Sequence, residues 1–127
     1  MALILDTNAL SAFADGNPEL RRAIENEVEL AVPAIILGEY LFGIRQSRHR
    51  ERYEAWLRLN ASAFRVLPVG PATAGHYAEI RAELKSAGRP IPSNDLWIAA
   101  LAREHRRPLV SRDGHFEAVR GIKRVGW

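Results

Sequence analysis

Short aliphatic runs and helical stripes take turns along this chain. Residues 2–5 (ALIL) are apolar without a break, the mark of a short buried strand. Residues 29–32 (ELAV), 64–69 (FRVLPV) and 108–113 (PLVSRD) predict further strands, and the tail IKRVGW predicts a last edge strand. Between them the period changes. From Pro33 to about Gln46, the residues Ile36, Leu37, Tyr40, Leu41 and Ile44 recur on one helical face. Residues 48–63 predict a charged amphipathic helix with Tyr53, Trp56 and Leu57 on one side. Pro71 starts another, in which Tyr77, Ile80 and Leu84 share a face and Gly88 fits the C-terminal cap. SNDLWIAALAREH predicts a helix with Ser93 or Asn94 as its cap and Leu96, Ala99 and Ala100 turned inward.

The N-terminal third follows the same rules. Asp6 or Thr7 can cap a helix over about Ala9 to Ala14. Gly16 and Asn17 break it, and Pro18 then opens a second helix through ELRRAIENEV. Strands alternating with helices argue for an α/β fold with a mainly parallel central sheet flanked by helices, and residues 1–127 fit one domain. In such sheets ligands bind beyond the carboxyl ends of the strands.

Acids fall at that edge. Asp6 ends the first strand, and Asp113 ends the strand carrying LVS. Asp95 lies in the first turn of its helix, and Glu39 sits among the apolar residues Ile36, Leu41 and Phe42. Taken singly, each has a bland role. Asp6 caps a helix, Asp95 favours a helix dipole, Asp113 before Gly114 is a turn pair, and Glu39 is a solvated helix residue. Taken together they repel one another, and a divalent cation removes that penalty. Mg²⁺ and Mn²⁺ prefer oxygen ligands, and a few carboxylates suffice. Such an ion lowers the pKa of a bound water and stabilises charge on a phosphoryl oxygen, so no protein nucleophile is needed.

Composition narrows the choice. Hydrophobic residues make up 47% of the chain, which suits a packed core rather than a disordered segment. The absence of cysteine excludes disulfides and thiolate-bound zinc. No apolar run approaches the roughly 18 residues of a membrane span, and MALILD lacks the basic start of a secretory signal. A cytoplasmic protein without membrane contact is expected. The net charge is only +3, yet setting the four acids aside leaves 18 basic against 11 acidic residues. A basic body around an acidic pocket suits a polyanion that meets metal ions. Phosphate-loop (GxxxxGKS) and nucleophile-elbow (GxSxG) motifs are absent, and the four histidines show no HExxH spacing. Three of the histidines read as surface residues, while His115, just past Asp113, lies close enough to touch a substrate.

At this point the chain resembles a PIN domain, specifically the VapC type of toxin ribonuclease. The resemblance spans nearly the whole chain. It rests on DTN at 6–8, PAIILGEYLFGI at 33–44, IPSNDLWIAALA at 91–102 and LVSRDGHF at 109–116, in that order and spacing. It implies a metal-dependent endoribonuclease, the toxin of a type II toxin–antitoxin system. It implies that Asp6, Glu39, Asp95 and Asp113 hold Mg²⁺ or Mn²⁺, with Asp6 and Asp95 as direct ligands and Glu39 acting through a water or by orienting one. Asn8 and Ser111 match the polar residues that bond to those ligands or to the attacking water, and Thr7 either joins them or caps a helix. The resemblance further implies an RNA substrate, a homodimer, and a small antitoxin that places a basic side chain at the pocket. Tyr40, Phe42 and Trp56 offer apolar surface for an interface, and core packing accounts for them equally well. Arg112, Arg81 and Arg89 are candidates for RNA phosphates, with Arg112 foremost, while Lys85 reads as a solvated residue. Trp97 reads as core, with stacking on a base as its alternative.

Two other classes compete. An aspartyl phosphatase would use Asp6 as nucleophile, but Asn8 stands where its second acid belongs. A non-catalytic receiver or RNA-binding module shares the strand–helix alternation, but a receiver wants paired acids after the first strand, and only Asp6 is there.

Overall fold

The computed structural model describes residues 2–26 and 29–127. Its centre is one parallel sheet. The strands are β1 (Ala2–Leu5), β2 (Glu29–Pro33), β3 (Phe64–Leu67), β4 (Leu109–Val110) and β5 (Arg124–Val125). They lie in the order β3-β2-β1-β4-β5, and every pairing is parallel. The helices are α1 (Thr7–Ala14), α2 (Pro18–Ile24), α3 (Ala34–Arg45), α4 (Arg50–Asn60), α5 (Pro71–Ser86) and α6 (Ser93–His105).

β1 is buried along its whole length, as a central parallel strand covered on both faces must be. Ile4 and Leu5 meet Leu10, Ile36, Ile98, Leu101 and Val110 in the core. α6 contributes Leu96 and then Ile98 through Ala102, all buried, so its first turn is held firmly against the sheet. Chain order reverses at β1, which has β2 on one side and β4 on the other. That junction is the switch point at which ligands collect in open α/β sheets.

Several boundaries depart from the sequence expectation, each for a local reason. α1 starts at Thr7 because the Asp6 side chain accepts from the Thr7 backbone N–H as its cap. α2 ends at Ile24; the last two residues of the expected helix, 27 and 28, lie outside the described residues. α4 ends at Asn60, whose side-chain amide donates to the Trp56 carbonyl, and residues 61–63 tighten into a 3₁₀ turn. β3 stops before Pro68, which lacks the N–H a ladder requires. β4 is shorter than the expected 108–113. Pro108 offers no donor, and beyond Val110 the Ser111 hydroxyl accepts from the Asp113 N–H and turns the chain away. Gly88 has the positive φ of 67° expected just past the end of α5.

The aromatic residues divide. Tyr40 is buried, and Trp56 meets Phe13 edge-on at 5.6 Å, so packing accounts for both. Phe42 stays 62% exposed. Trp97 is half-buried and stacks on Tyr77 at 4.1 Å rather than entering the core. No helix among the described residues is long and apolar enough to cross a membrane.

Candidate active site

β1 and β4 run in register, with Leu5 opposite Val110. The next residue on each strand is therefore also opposite its partner, and those residues are Asp6 and Ser111. The Asp6 backbone N–H donates to the Val110 carbonyl at 3.0 Å, and the Ser111 hydroxyl donates to Asp6 Oδ2 at 2.6 Å. Asp6 Oδ1 accepts from the Thr7 N–H at 2.8 Å. Asp6 is only 6% exposed, so its charge depends on these donors. Burial still raises its pKa above the ordinary aspartate value. Ser111 and Thr7 oppose that rise, and the charges of Asp113 and Glu39 add to it.

Asp95 arrives from the first turn of α6. Its pKa is also raised, first by burial and then by the charges of Asp113 and Asp6, against the pull of His115. Asp113 lies just past β4 as the N-cap of a 3₁₀ turn, accepting from the His115 N–H at 2.9 Å. The His115 ring lies between the two carboxylates. Its Nδ1 is 2.9 Å from Asp95 Oδ2 and 3.1 Å from Asp113 Oδ1. The hydrogen bond to Asp95 and the charge of Asp113 raise its pKa.

Glu39 reaches the same edge from α3. The Thr7 hydroxyl donates to its Oε2 at 2.7 Å, and the Asn94 amide donates to its Oε1 at 2.6 Å. Sequence reasoning placed Ser93 or Asn94 as the cap of α6. In the fold Pro92 holds the cap position without a side-chain bond, and Asn94 lies inside the helix gripping Glu39. That role was missed. The one sequence signal was a polar amide directly before Asp95. Thr7 likewise bonds Glu39 rather than capping α1. Asn8 is exposed, with its Oδ1 3.5 Å from the Arg112 backbone nitrogen.

All four predicted acids thus reach one end of the sheet. Among the described residues, none of the four pairs with a lysine or arginine within 4.0 Å. One group of three, Asp95, Asp113 and His115, offers ligand atoms all within 4.8 Å of one another. Asp6 and Glu39 stand outside that trio and close the pocket from the β1 and α3 sides. Clustered oxygen donors without a lysine or arginine partner fit a hard divalent cation, and the neighbouring acids add to the raised pKa of Asp6 and of Asp95.

The predicted RNA contacts lie further out. Arg112 is exposed, 3.7 Å from Glu19 and with its guanidinium 4.6 Å above the Trp127 ring. Arg81 donates to the Tyr77 hydroxyl, and with Lys85 and Ser93 it lines a cavity of about 470 Å³ between α5 and α6. Arg89 is exposed beyond the end of α5.

Three comparisons bear on this arrangement. Residues 3–122 match the family model of the PIN domain. Ribonuclease VapC2 of Haemophilus influenzae (strain Rd) is 32% identical, over 98% of this chain and 96% of its own length. The tRNA(fMet)-specific endonuclease VapC of Shigella flexneri is 30% identical, over 100% of this chain and 98% of its own. A crystal structure of VapBC-5 from Mycobacterium tuberculosis, a member of the VapBC family of toxin–antitoxin systems, superposes with a TM-score of 0.76. It has 27% identity and covers 99% of this chain and 98% of that one.

Proposed function

The chain belongs to the PIN-domain family, and from that premise we propose that it is an endoribonuclease, the toxin of a toxin–antitoxin pair, which uses Mg²⁺ or Mn²⁺ to hydrolyse RNA phosphodiester bonds. The observation that carries this reading is the meeting of four acids, unpaired with lysine or arginine, at the switch point of the sheet. The family match across residues 3–122 replaces the phosphatase and receiver alternatives.

Asp6, Asp95 and Asp113 hold the cation, with Glu39 beside them. A divalent cation in that pocket supplies Lewis acidity for a phosphoryl oxygen and makes a nearby water more acidic. The protein's own groups do the positioning. Ser111 fixes the rotamer of Asp6 across the β1–β4 junction. Thr7 and Asn94 occupy one lone pair on each Glu39 oxygen, which aims the remaining lone pairs at a water. Asn8 and the Arg112 backbone stand at the rim, and Arg112, Arg81 and Arg89 hold RNA phosphates as it enters. His115 links Asp95 to Asp113 and keeps the two carboxylates together.

The partners follow from relatives that occur as toxin–antitoxin complexes. A small antitoxin that extends a basic side chain suits a pocket of acids without lysine or arginine partners. Exposed Leu41 and Phe42 on α3 and Leu59 on α4 offer apolar surface for the antitoxin or for a second copy in a homodimer. A cytoplasmic location belongs to the same reading, since substrate and antitoxin meet there.

The test is incubation of purified protein with total cellular RNA, with Mg²⁺ or Mn²⁺ and then with excess EDTA. Discrete fragments that form only with the cation are expected. Intact RNA under both conditions, from folded protein, would sink the nuclease reading.

A further inference from the structure

A second cavity, of about 220 Å³, opens beside the acids between α1, α3 and the start of α4. Thr7 and Glu39 line it, so it is continuous with the pocket just described. Asp15, Tyr40, Gly43 and Tyr53 also line it.

Among the described residues, Tyr40 has no polar partner. It is 5% exposed, and its hydroxyl makes no hydrogen bond among the described residues. A buried hydroxyl without a partner costs free energy, and a ligand that accepts from it recovers that cost. A phenol is an O–H donor at neutral pH. Asp15 supplies the complement. It is exposed, and its Oδ1 accepts from the Tyr53 hydroxyl at 3.2 Å while keeping further lone pairs. Gly43 leaves the wall open, since a Cβ built there meets nothing within 4 Å.

We infer that this cavity takes one unstacked RNA base beside the scissile phosphate, and that the base carries an exocyclic amine. The inference rests on the endoribonuclease reading and deepens it by locating where sequence is read. Single-stranded RNA is recognised by splaying out bases, stacking them on aromatic rings and bonding their edges. The cavity has room for one base but not for a base pair. Its acidic wall repels phosphate and welcomes base N–H donors. Adenine, cytosine and guanine each present an amine for Asp15 beside an acceptor for Tyr40. Uracil has only one N–H on that edge, set between two carbonyl oxygens that the Asp15 carboxylate repels, so it fits less well.

The experiment maps cut sites in total cellular RNA by sequencing fragment ends, for wild type, Tyr40→Phe and Gly43→Leu. Tyr40→Phe deletes only the unpartnered hydroxyl. Gly43→Leu raises helix propensity, places its Cβ in open space and fills the cavity. Wild type is expected to cut beside an amine-bearing base at one fixed position. Tyr40→Phe should lower the rate at the favoured sites about tenfold, while the preference for an amine, set by Asp15, persists. Gly43→Leu should suppress those sites further, and both variants should melt no lower than wild type. Wild-type rates at the favoured sites in both variants overturn the assignment and leave the nuclease intact. Unchanged cut sites with lost inhibition by the antitoxin would give the cavity to that protein instead, which also overturns it. Absence of any cation-dependent cleavage by wild type removes the nuclease reading and this inference together.

Discussion

The two sides of the acidic pocket are built differently. Asp6 is buried at a strand end, and backbone pairing and the Ser111 hydroxyl fix it in place. Asp95 and Asp113 are half-buried on a helix turn and a 3₁₀ turn, and an exposed imidazole links them. The contrast teaches where a charged site needs preorganisation. A desolvated carboxylate survives only if donors are already aimed at it. A partly solvated pair tolerates adjustment, and an exposed side chain suffices to hold it.

The sharpest way to break the comparison is to neutralise one acid on each side. Asp6→Asn and Asp95→Asn should each cut RNA cleavage by at least about a hundredfold, a loss typical of removing a group that stabilises developing charge. Both should keep the wild-type circular dichroism spectrum, because asparagine retains the shape and one acceptor. Near-wild-type cleavage by both would remove the site assignment.

The Ser111→Ala substitution should separate the two sides. It deprives a buried carboxylate of its donor and the Asp113 N–H of its acceptor, costing about 1–3 kcal/mol in urea unfolding. His115→Ala, at a solvent-exposed position, should leave unfolding almost unchanged. Equal stability losses in these two variants would erase the distinction.

A pH series of the chelated protein sharpens the comparison further. Folding raises the pKa of Asp6 and Asp95, so their charged forms are penalised in the fold. Stability is gained as pH falls through those raised values toward the ordinary range near 4. His115 is raised too, so its contribution is present below its ordinary value of 6.5 and is lost as pH rises through the folded one. The signs agree. The melting temperature in EDTA should be higher at pH 5.5 than at pH 8. Mn²⁺ should reverse that order, because it binds the deprotonated ligands. A chelated protein most stable at pH 8 would contradict the pKa assignments. The smallest effect belongs to the rim. Arg112→Ala should weaken RNA binding a few-fold and lessen its salt dependence, with cleavage of bound RNA unchanged.

What the sequence revealed follows the same division. Asp6 was legible because the apolar run ALIL ends on it. Asp95 was legible because a polar triplet opens a long apolar helix. The contact of Ser111 with Asp6 spans 105 residues, and its geometry depends on β4 lying beside β1, a neighbour relation that local patterns do not encode. Asn94 misled for a related reason. Local propensity favours it as a cap, but Glu39, 55 residues away in sequence, takes its amide. His115 read only as a residue near substrate, since no sequence pattern shows an imidazole lying between two carboxylates. Strands were overextended at Pro68 and Pro108, where proline removes a donor.

The central claim is that both sides of the pocket hold one divalent centre. Calorimetric titration of Mn²⁺ into wild type, Asp6→Asn and Asp95→Asn tests it most directly. The account predicts saturable binding to wild type and a loss of at least about tenfold in affinity in each variant. Saturable binding that survives both substitutions, or no binding by the wild type, would contradict it.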